Sequence, residues 1–219
     1  MKLCRVALMA KAPVPGLAKT RLVPALGESG AAALAARLLA HALQQALEAK
    51  PGSVTLWTTP DASHPAFERA SWLGVLLAVQ PEGDLGQRMA RVFESGFALG
   101  DTPVLLMGTD APSLGASVLQ TAAAELERHD VVFVPAHDGG YALVGLRAPP
   151  AGRLNDLLTA LFSGMRWSTP QVMAETRARL AAAGFSHAEL PPVHDIDEAA
   201  DLVHLPPGLL SATDRPATD

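Results

Sequence analysis

The sequence predicts an α/β protein: a single three-layer α/β/α domain built around a mostly parallel, twisted sheet. Two observations carry this prediction. Apolar runs of strand length alternate with longer segments of helical periodicity, which is typical of a doubly wound parallel sheet. The chain has 219 residues, of which 49% are hydrophobic, and this is enough for one globular domain with a sizeable core.

Predicted strands alternate with predicted helices along most of the chain. The strands are 5–10, 54–58, 75–80, 104–107, 131–135, 141–146 and 185–190. The helices are 29–49, 85–99, 116–128, 154–161 and 169–183, followed by a final helix that starts near residue 197. We expect one domain over residues 1–205. The proline-rich and polar segment 206–219 predicts a flexible C-terminal tail.

The composition excludes several classes of protein. A net charge of −5 and a pI near 5.8 argue against a nucleic-acid binder, which needs a basic face. The single Cys4 excludes a disulfide framework and a cysteine zinc site, and its place beside an apolar strand predicts a small buried side chain. The apolar tract 31–47 contains Arg37 and His41, so we expect no membrane span. With no targeting segment recognised, a cytoplasmic location is expected.

The first strand leads into a loop that carries three cations. Lys11, Lys19 and Arg21 lie in this Pro/Gly loop, and arginine and lysine are the side chains that grip phosphate oxygens. Its glycine, Gly16, permits a close approach of the backbone to a ligand. The loop matches neither a P-loop nor a GxGxxG dinucleotide loop. A solvated loop with ordinary surface charges is the alternative interpretation.

Asp110 follows the predicted strand 104–107, at the mouth of the crevice where open α/β sheets bind ligands. A carboxylate at this position is a good Mg²⁺ ligand, because this cation often takes only one or two carboxylates together with substrate phosphates. The alternative is an Asx turn or a cap on the next helix, which Ser113 could equally supply.

The strand 131–135 ends in a second ligand-binding candidate, Asp138-Gly139-Gly140. The amides of the two glycines could form an anion nest beside a ligand. A tight hairpin of type I′ between two strands is the alternative, and both interpretations are compatible. Tyr141 is either a pocket wall or a core residue.

Two further segments open predicted helices with polar residues. In the segment 80–89 the candidates for base or ribose recognition are Gly83, Asp84, Gly86 and Arg88. The alternative is a plain helix start capped by Asp84. In the segment Trp167-Ser168-Thr169-Pro170 the pattern predicts a helix with Thr169 as its cap and Pro170 at its first position.

An Asp-x-Asp pair, Asp195 and Asp197, precedes the last predicted helix. In an extended segment both carboxylates lie on the same side, where they could complete a metal site with Asp110. Alternatively, Asp197 is an ordinary N-cap and Asp195 a surface residue. The local sequence leaves both interpretations open.

Six blocks follow one another in the chain: AKAPVPGLAKTRL, PEGDLGQRM, GTDAPSL, HDGGYALVGL, WSTP and HDIDEAADL. Their order and spacing resemble a bacterial family of transferases with the nucleotide-diphospho-sugar transferase (glycosyltransferase-A-like) fold, often called radical SAM/selenodomain-associated transferases. The likeness extends from about Val6 to Leu202. The family commonly has a cysteine at the position of Ala111, which leaves the adjacent aspartate in place.

This family is in turn similar to the 2-phospho-lactate and molybdenum-cofactor guanylyltransferases, and the resemblance implies roles for individual residues. The segment 1–205 would be a nucleotide-binding transferase domain. Catalytic roles fall to Lys19, Arg21 and Asp110, and metal binding to Asp110, Asp195 and Asp197. Nucleotide-binding roles fall to Ala10, Lys11, Pro15, Gly16, Lys19, Gly83, Asp84, Gly86, Arg88 and Thr109. The implied acceptor-binding residues are Asp138, Gly139, Gly140, Tyr141, Trp167 and Ser168.

These residues predict a nucleotidyltransferase that depends on Mg²⁺ (or Mn²⁺). It would move a nucleoside monophosphate from a nucleoside triphosphate to a small phosphorylated or hydroxylated acceptor, and release pyrophosphate. A glycosyltransferase with a nucleotide-sugar donor is the alternative, and a nucleotide-binding accessory protein without turnover is a third. The expected partners are the nucleotide and a small acceptor, with a homodimer allowed and neither nucleic acid nor membrane involved.

Overall fold

Seven strands form one sheet in the computed structural model, which describes residues 4–210. The strands are β1 (Arg5–Lys11), β2 (Ser53–Thr59), β3 (Leu76–Val79), β4 (Val104–Met107), β5 (Val131–Pro135), β6 (Tyr141–Leu146) and β7 (His187–Glu189). Their order across the sheet is β3-β2-β1-β4-β6-β5-β7. The neighbouring pairs are parallel except for β6, which runs antiparallel to both β4 and β5. The predicted mostly parallel sheet is therefore confirmed.

Six α-helices cover the sheet within the described residues. They are α1 (Val23–Glu48), α2 (Pro65–Trp72), α3 (Leu85–Ala98), α4 (Ala116–Glu125), α5 (Leu154–Phe162) and α6 (Val172–Ala183). A short 3-10 turn, Thr20–Leu22, precedes α1, and a second, Ala199–His204, is the last helical element among the described residues. The helix α1 is kinked at Gly27, whose φ is 69°.

Alternate residues of each strand point to opposite faces of the sheet, and each face carries its own apolar layer. Leu8, Leu56 and Leu105 face α1, α2 and α4, where they pack with side chains such as Phe67. On the other face Phe133 and its neighbours pack against α3, α5 and α6. The three-layer arrangement predicted from the sequence is confirmed. Cys4 is buried in the first layer, as predicted, and burial raises the pKa of its thiol.

The segment Thr20–Glu48 is long and apolar enough, by length and a mean hydropathy of 1.3, to span a membrane. This is weak evidence, because the core helix of a globular protein has the same properties. In this fold Leu34, Leu38 and Leu39 of α1 are buried among core side chains. The helix therefore occupies the position of a core helix.

The start of the predicted tail is packed against the fold. Leu209 and Leu210 lie against the apolar cluster around Leu34, and Arg37 donates a hydrogen bond from Nε to the Leu209 carbonyl oxygen at 2.7 Å. Residues 211–219, the rest of the predicted flexible tail, lie outside the described residues, as do residues 1–3.

Candidate functional site

The carboxyl ends of β1 and β4 border a pocket of about 300 Å³ that contains both cations and carboxylates. We call it the cationic pocket. It is lined by Met9, Lys11, Ala18, Lys19, Thr20, Arg21, Ala35, Leu39, Thr109, Asp110 and Asp197. Because β1 and β4 are parallel neighbours in the sheet, the loops that follow them meet at one edge. Three distant parts of the chain therefore contribute charged groups to one cavity.

Lys19 lies at the centre of this pocket and links its two carboxylates. Its Nζ donates hydrogen bonds to Asp110 Oδ1 at 2.6 Å, to Asp197 Oδ1 at 2.7 Å and to the Ile196 carbonyl oxygen at 2.6 Å. These contacts use all three donors of the ammonium group. The side chain of Lys19 is only 8% exposed, whereas those of Asp110 and Asp197 are 46% and 49% exposed.

Burial alone would lower the pKa of Lys19, but the charges of Asp110 and Asp197 and their hydrogen bonds raise it above its ordinary value. The ammonium group is therefore held in its charged form. Lys19 also adopts a left-handed backbone conformation, with φ at 48° and ψ at 46°. A non-glycine residue in this region is uncommon and often marks a functional site. The next residues form the 3-10 turn that buries Leu22.

The other two cations of the loop remain exposed. The Lys11 side chain faces solvent at the end of β1, and no ion pair to it is found among the described residues. The side chain of Arg21 is 68% exposed, and its nearest acidic partner, Glu198, is 3.7 Å away. Both line the cationic pocket, so they are accessible to an anionic ligand. Ala10 in β1, and Pro15 and Gly16 in the loop that follows it, do not line this pocket.

The segment 195–197 lies beside the cleft and has no regular secondary structure. Asp197 lines the cationic pocket and Asp195 lines a second pocket, while Ile196 is fully buried between them. The Ile196 amide donates to the Asp110 carbonyl oxygen at 2.9 Å. Burial, together with the charges of Asp110, Asp138 and Asp197, raises the pKa of Asp195 to about 7. The carboxylates of Asp110, Asp138 and Asp197 are thus close enough to Asp195 for their charges to act on it.

The cap interpretations of these aspartates are wrong. The last 3-10 turn begins after Glu198, whose amide donates to Asp201 Oδ2 at 2.7 Å, so Asp197 is not its N-cap. The helix α4 begins after Gly115 without any side-chain cap, so neither Asp110 nor Ser113 supplies one.

The second pocket, of about 170 Å³, lies beyond β6 and has aromatic walls. We call it the aromatic pocket. It is lined by Leu85, Met89, Asp138, Gly140, Tyr141, Trp167, Ser168, Thr169, Val172 and Asp195. The rings of Tyr141 and Trp167 are nearly perpendicular, with centroids 6.4 Å apart. The Tyr141 hydroxyl is buried and has no hydrogen-bond partner among the described residues, and burial raises its pKa.

A third cavity, of about 260 Å³, lies between these two pockets. It shares Met9 and Asp110 with the cationic pocket, and Leu85, Met89 and Tyr141 with the aromatic pocket. The three cavities therefore adjoin along the carboxyl edge of β1 and β4. Leu85 and Met89 were missed as candidates from the sequence, because apolar residues at a helix start carry no signal that separates a pocket wall from core.

The hairpin between β5 and β6 forms one end of the aromatic pocket. Asp138 Oδ1 accepts a hydrogen bond from the Gly140 amide at 2.8 Å. The predicted type I′ turn is wrong, since that turn needs two residues with positive φ and only Gly139 has one in this loop, at 93°. A Cβ on Gly139 would lie 2.3 Å from the Pro170 carbonyl oxygen. Gly139 thus packs against the start of α6 and does not line either pocket.

The segment 80–89 has mainly structural contacts. Asp84 is the N-cap of α3, as the cap interpretation predicts, and forms a capping box with Gln87. A Cβ on Gly86 would lie 2.5 Å from the Phe162 carbonyl oxygen, so this glycine permits close packing of α3. Arg88 donates to Gln80 Oε1 at 3.2 Å, and Gln80 in turn donates to the Ala10 carbonyl oxygen. None of the four candidates in this segment lines the cationic pocket: Gly83, Asp84, Gly86 and Arg88.

The predicted start of α6 is also wrong. The helix begins at Val172 with Gln171 as its N-cap, whereas the Thr169 hydroxyl donates to the Arg166 carbonyl oxygen. Ser168 takes a positive φ of 59°, which adds a turn before the helix. This turn places Ser168 and Thr169 at the wall of the aromatic pocket.

The carboxylates of Asp110 and Asp197 do not form a preformed metal centre. They suit a metal ion that binds together with a phosphate ligand. Among residues 4–210, no group of three or more His, Cys, Asp or Glu side chains could hold a metal ion. Asp110 and Asp197 nevertheless converge on one ammonium group and are half exposed to the pocket. Mg²⁺ prefers oxygen ligands and commonly binds through one or two carboxylates plus substrate phosphates. The donor set therefore fits such an ion.

Several solved structures share this fold. A provisionally assigned nucleotide-diphospho-sugar transferase from Desulfovibrio desulfuricans G20 is 28% identical, with a TM-score of 0.79 over 90% of this chain and 84% of that one. The 4-diphosphocytidyl-2C-methyl-D-erythritol synthase from Anaerococcus prevotii DSM 20548 is 9% identical, with a TM-score of 0.58 over 93% and 96%. Rv0371c from Mycobacterium tuberculosis H37Rv, in complex with manganese, is 17% identical, with a TM-score of 0.53 over 97% and 100%. The last two show the fold alone.

Sequence comparison gives the family. No curated protein matches this chain in sequence. A family model described as "Uncharacterized protein conserved in bacteria (DUF2064)" matches residues 42–169, which is more than half of the chain. The matched segment includes β2 to β6 and Asp110, whereas the cationic loop precedes it. The chain therefore belongs to the DUF2064 family.

Proposed function

We propose that this protein is a nucleotidyltransferase that depends on Mg²⁺ or Mn²⁺ and transfers a nucleoside monophosphate to a small acceptor. One observation carries the proposal. Lys19 holds the carboxylates of Asp110 and Asp197 together in a pocket that also presents the exposed cations Lys11 and Arg21. Carboxylates beside cations suit a metal-bound polyphosphate, whose oxygens need both a metal ion and positively charged side chains.

We assign different roles to the residues of the cationic pocket. Lys11 and Arg21 would bind the outer phosphates, with the Arg21 guanidinium able to contact two oxygens at once. Lys19, whose donors are all used within the protein, would position Asp110 and Asp197. These two carboxylates would hold the metal ion, which when bound supplies positive charge beside the phosphates. Asp195 lines the aromatic pocket, so we assign it to the acceptor side.

The proposed transfer needs no protein nucleophile. An oxygen of the acceptor forms a bond to the α-phosphorus, and the bond from that phosphorus to the bridging oxygen of the β-phosphate breaks. Pyrophosphate leaves, and the proton of an acceptor hydroxyl passes to solvent. Positioning and electrostatic stabilisation account for most of the rate enhancement in such phosphoryl transfers. The adjoining cavities allow an acceptor in the aromatic pocket to face a nucleotide in the cationic pocket.

Two kinds of likeness support the proposal. The fold is that of a provisionally assigned nucleotide-diphospho-sugar transferase at 28% identity, and a manganese complex is known for Rv0371c. The resemblance to radical SAM/selenodomain-associated transferases and to guanylyltransferases makes GTP the first triphosphate to test. A cytoplasmic enzyme with no nucleic-acid or membrane partner, and with a homodimer allowed, remains part of the proposal.

A glycosyltransferase with a nucleotide-sugar donor is the second candidate. The likeness to the nucleotide-diphospho-sugar transferase provisionally assigned in Desulfovibrio desulfuricans favours it. The sequence Thr109-Asp110-Ala111 argues against it, because such enzymes usually place an Asp-x-Asp at the central metal site and this chain has one carboxylate there.

Two measurements test the proposal: the change in melting temperature on ligand binding, and the identity of the reaction products. Nucleoside triphosphates and nucleotide sugars are screened by thermal shift with Mg²⁺ and with a chelator, since a ligand that binds the native state raises the melting temperature. Released pyrophosphate would identify nucleotidyl transfer, whereas a nucleoside diphosphate released from a sugar donor would identify glycosyl transfer. Absence of any nucleotide-induced shift would contradict both.

Arg21→Gln and Arg91→Gln make a matched pair for this screen. Both arginines are 68% exposed and lie near a glutamate, but only Arg21 lines the cationic pocket. We expect Arg21→Gln to weaken triphosphate binding about tenfold, since a hydrogen bond to a charged group contributes about 1.5–3 kcal/mol. Arg91→Gln should bind like the wild type. Equal losses in both variants would place the triphosphate elsewhere.

A further inference from the structure

The aromatic pocket has the opposite charge from the cationic pocket. Asp138 and Asp195 are its charged lining residues, and none of the described residues that line it is a lysine or arginine. The two carboxylates are close enough for the charge of Asp138 to be felt at Asp195. A phosphate or carboxylate group on an acceptor would therefore meet negative charge without a compensating cation.

The walls of this pocket suit a molecule with both apolar faces and hydroxyl groups. Trp167 and Tyr141 supply aromatic surface, and Leu85, Met89 and Val172 extend it. An ionised carboxylate is a pure hydrogen-bond acceptor, so Asp138 would bind donors such as hydroxyl groups, and the oxygens of Asp195 add further polar contacts. Small-molecule sites usually combine such apolar walls with a few polar groups that fix orientation.

The Tyr141 side chain adds an independent indication of a ligand. Its ring is a wall of both the aromatic pocket and the adjoining cavity, and its buried hydroxyl has no partner among residues 4–210. A buried polar group without a partner is costly and rare, and in native proteins it commonly pairs with water or a ligand. The hydroxyl keeps its proton, because burial raises its pKa, so it can donate as well as accept a hydrogen bond.

We infer that the aromatic pocket binds the acceptor as an uncharged, hydroxyl-rich molecule of the sugar or polyol class, and that it rejects phosphorylated acceptors. This rests on the proposed function and narrows its acceptor to a hydroxyl compound. The acceptor hydroxyl oxygen then forms the new bond to the α-phosphorus, and the product is a phosphodiester between the nucleoside and the sugar or polyol.

Matched pairs of small molecules test the charge preference directly. Saturation-transfer NMR is recorded on the full chain with glucose and glucose 6-phosphate, sorbitol and sorbitol 6-phosphate, and glycerol and glycerol 3-phosphate. We expect the neutral member of at least one pair to bind saturably. Its dissociation constant should be at least tenfold lower than that of its phosphate. Stronger binding of the phosphates, or no binding of any neutral member, would overturn the inference. Glucosamine binding tighter than glucose would overturn it in favour of a cationic acceptor.

Two conservative variants connect the preference to this pocket. Asp138→Asn removes the charge but keeps an oxygen that accepts a hydrogen bond from the Gly140 amide. In this variant the ratio of the affinity for the neutral molecule to that for its phosphate should fall at least fivefold. Tyr141→Phe removes only the unpartnered hydroxyl. It should weaken binding of the neutral member at least fivefold without lowering the melting temperature, whereas a purely structural hydroxyl would change stability and leave binding intact. Unaltered selectivity in both variants would exclude this pocket as the acceptor site.

The nucleotide screen distinguishes a failure of the inferred acceptor class from a failure of the proposed nucleotidyl transfer. A nucleotide-induced shift without neutral-acceptor binding contradicts only the acceptor class. Binding of the neutral molecules without any nucleotide-induced shift contradicts the proposed nucleotidyl transfer and leaves the charge preference of the pocket intact.

Discussion

At the scale of single residues, the contacts of Lys19 differ most from the role that the sequence predicts for it. The loop pattern predicts a lysine that grips phosphate, whereas the structure places its ammonium between Asp110 and Asp197. The second of these partners lies 178 positions away in the chain. Local spacing cannot reveal such a contact, because it depends on the pairing of β1 with β4 and on the path of the segment before the last turn.

Lys19→Met should destabilise the metal-free protein by about 1–2 kcal/mol. The variant removes hydrogen bonds to two carboxylates, and the figure is discounted because both are about half exposed. Mn²⁺ should raise the melting temperature of Lys19→Met more than that of the wild type, since the two carboxylates then lack their cation.

Lys11→Met is the control for this prediction, because Lys11 lines the same pocket and has no carboxylate contact among the described residues. Its stability and its response to Mn²⁺ should match the wild type. A response to Mn²⁺ as small in Lys19→Met as in the wild type would show that the carboxylates do not bind the ion.

At the scale of elements, Asp130 connects the ends of three neighbouring strands. It pairs with Arg147, which follows β6, and accepts hydrogen bonds from the amide and hydroxyl of Ser186, just before β7, at 2.9 and 2.8 Å. Burial alone would raise the pKa of Asp130, but the Ser186 hydrogen bonds and Arg147 lower it below its ordinary value.

The lowered pKa of Asp130 gives stability that is present above about pH 4 and is lost as the pH falls through the folded-state pKa. Asp130→Asn should therefore lower the free energy of unfolding by about 1–2 kcal/mol at pH 7, and the gap from the wild type should shrink toward pH 2.5. Urea unfolding across this range measures it. Asp156 is the control, because its carboxylate pairs with Arg153 and is 58% exposed. Asp156→Asn should change stability by less than about 0.5 kcal/mol. A gap for Asp130→Asn that is independent of pH would contradict the account.

Gly139 determines how the β5–β6 hairpin meets α6. Gly139→Ala introduces a Cβ 2.3 Å from the Pro170 carbonyl oxygen at a residue whose φ is 93°. We expect a loss of about 3 kcal/mol from overpacking and backbone strain together. Gly100→Ala has a similar φ of 113° but open space around the Cβ, so it should cost only about 1–2 kcal/mol. Equal urea midpoints for the two variants would contradict the packing role.

The elements that the sequence predicts best are those whose apolar runs are continuous. The bounds of β4, β5 and β6 match the prediction, because each strand is an unbroken run of apolar residues beside turn residues. The helix α2 was not predicted, because it is short and its N-cap is the ring of His64, which accepts from the Ala66 amide. The start of α6 was misplaced because the left-handed Ser168 inserts a turn after a typical capping sequence.

At the scale of the whole molecule, the sequence predicts the layers and the edge of the sheet that carries the site. The cationic loop and Asp110 could be placed there because both directly follow strands. The sequence does not predict that Asp195 and Asp197 line different pockets, nor that Leu85 and Met89 connect them. Those features arise from contacts between segments far apart in the chain, which local patterns do not encode.

The proposed nucleotidyl transfer requires a metal ion and a triphosphate to bind together at Asp110 and Asp197. Anomalous diffraction from crystals grown with GTP and MnCl₂ tests this most directly. We predict a manganese peak within about 2.4 Å of a carboxylate oxygen of each aspartate, a range typical of oxygen ligation, with the triphosphate beside Lys11 and Arg21. A manganese peak away from both carboxylates, or a nucleotide bound outside the cationic pocket, would contradict it.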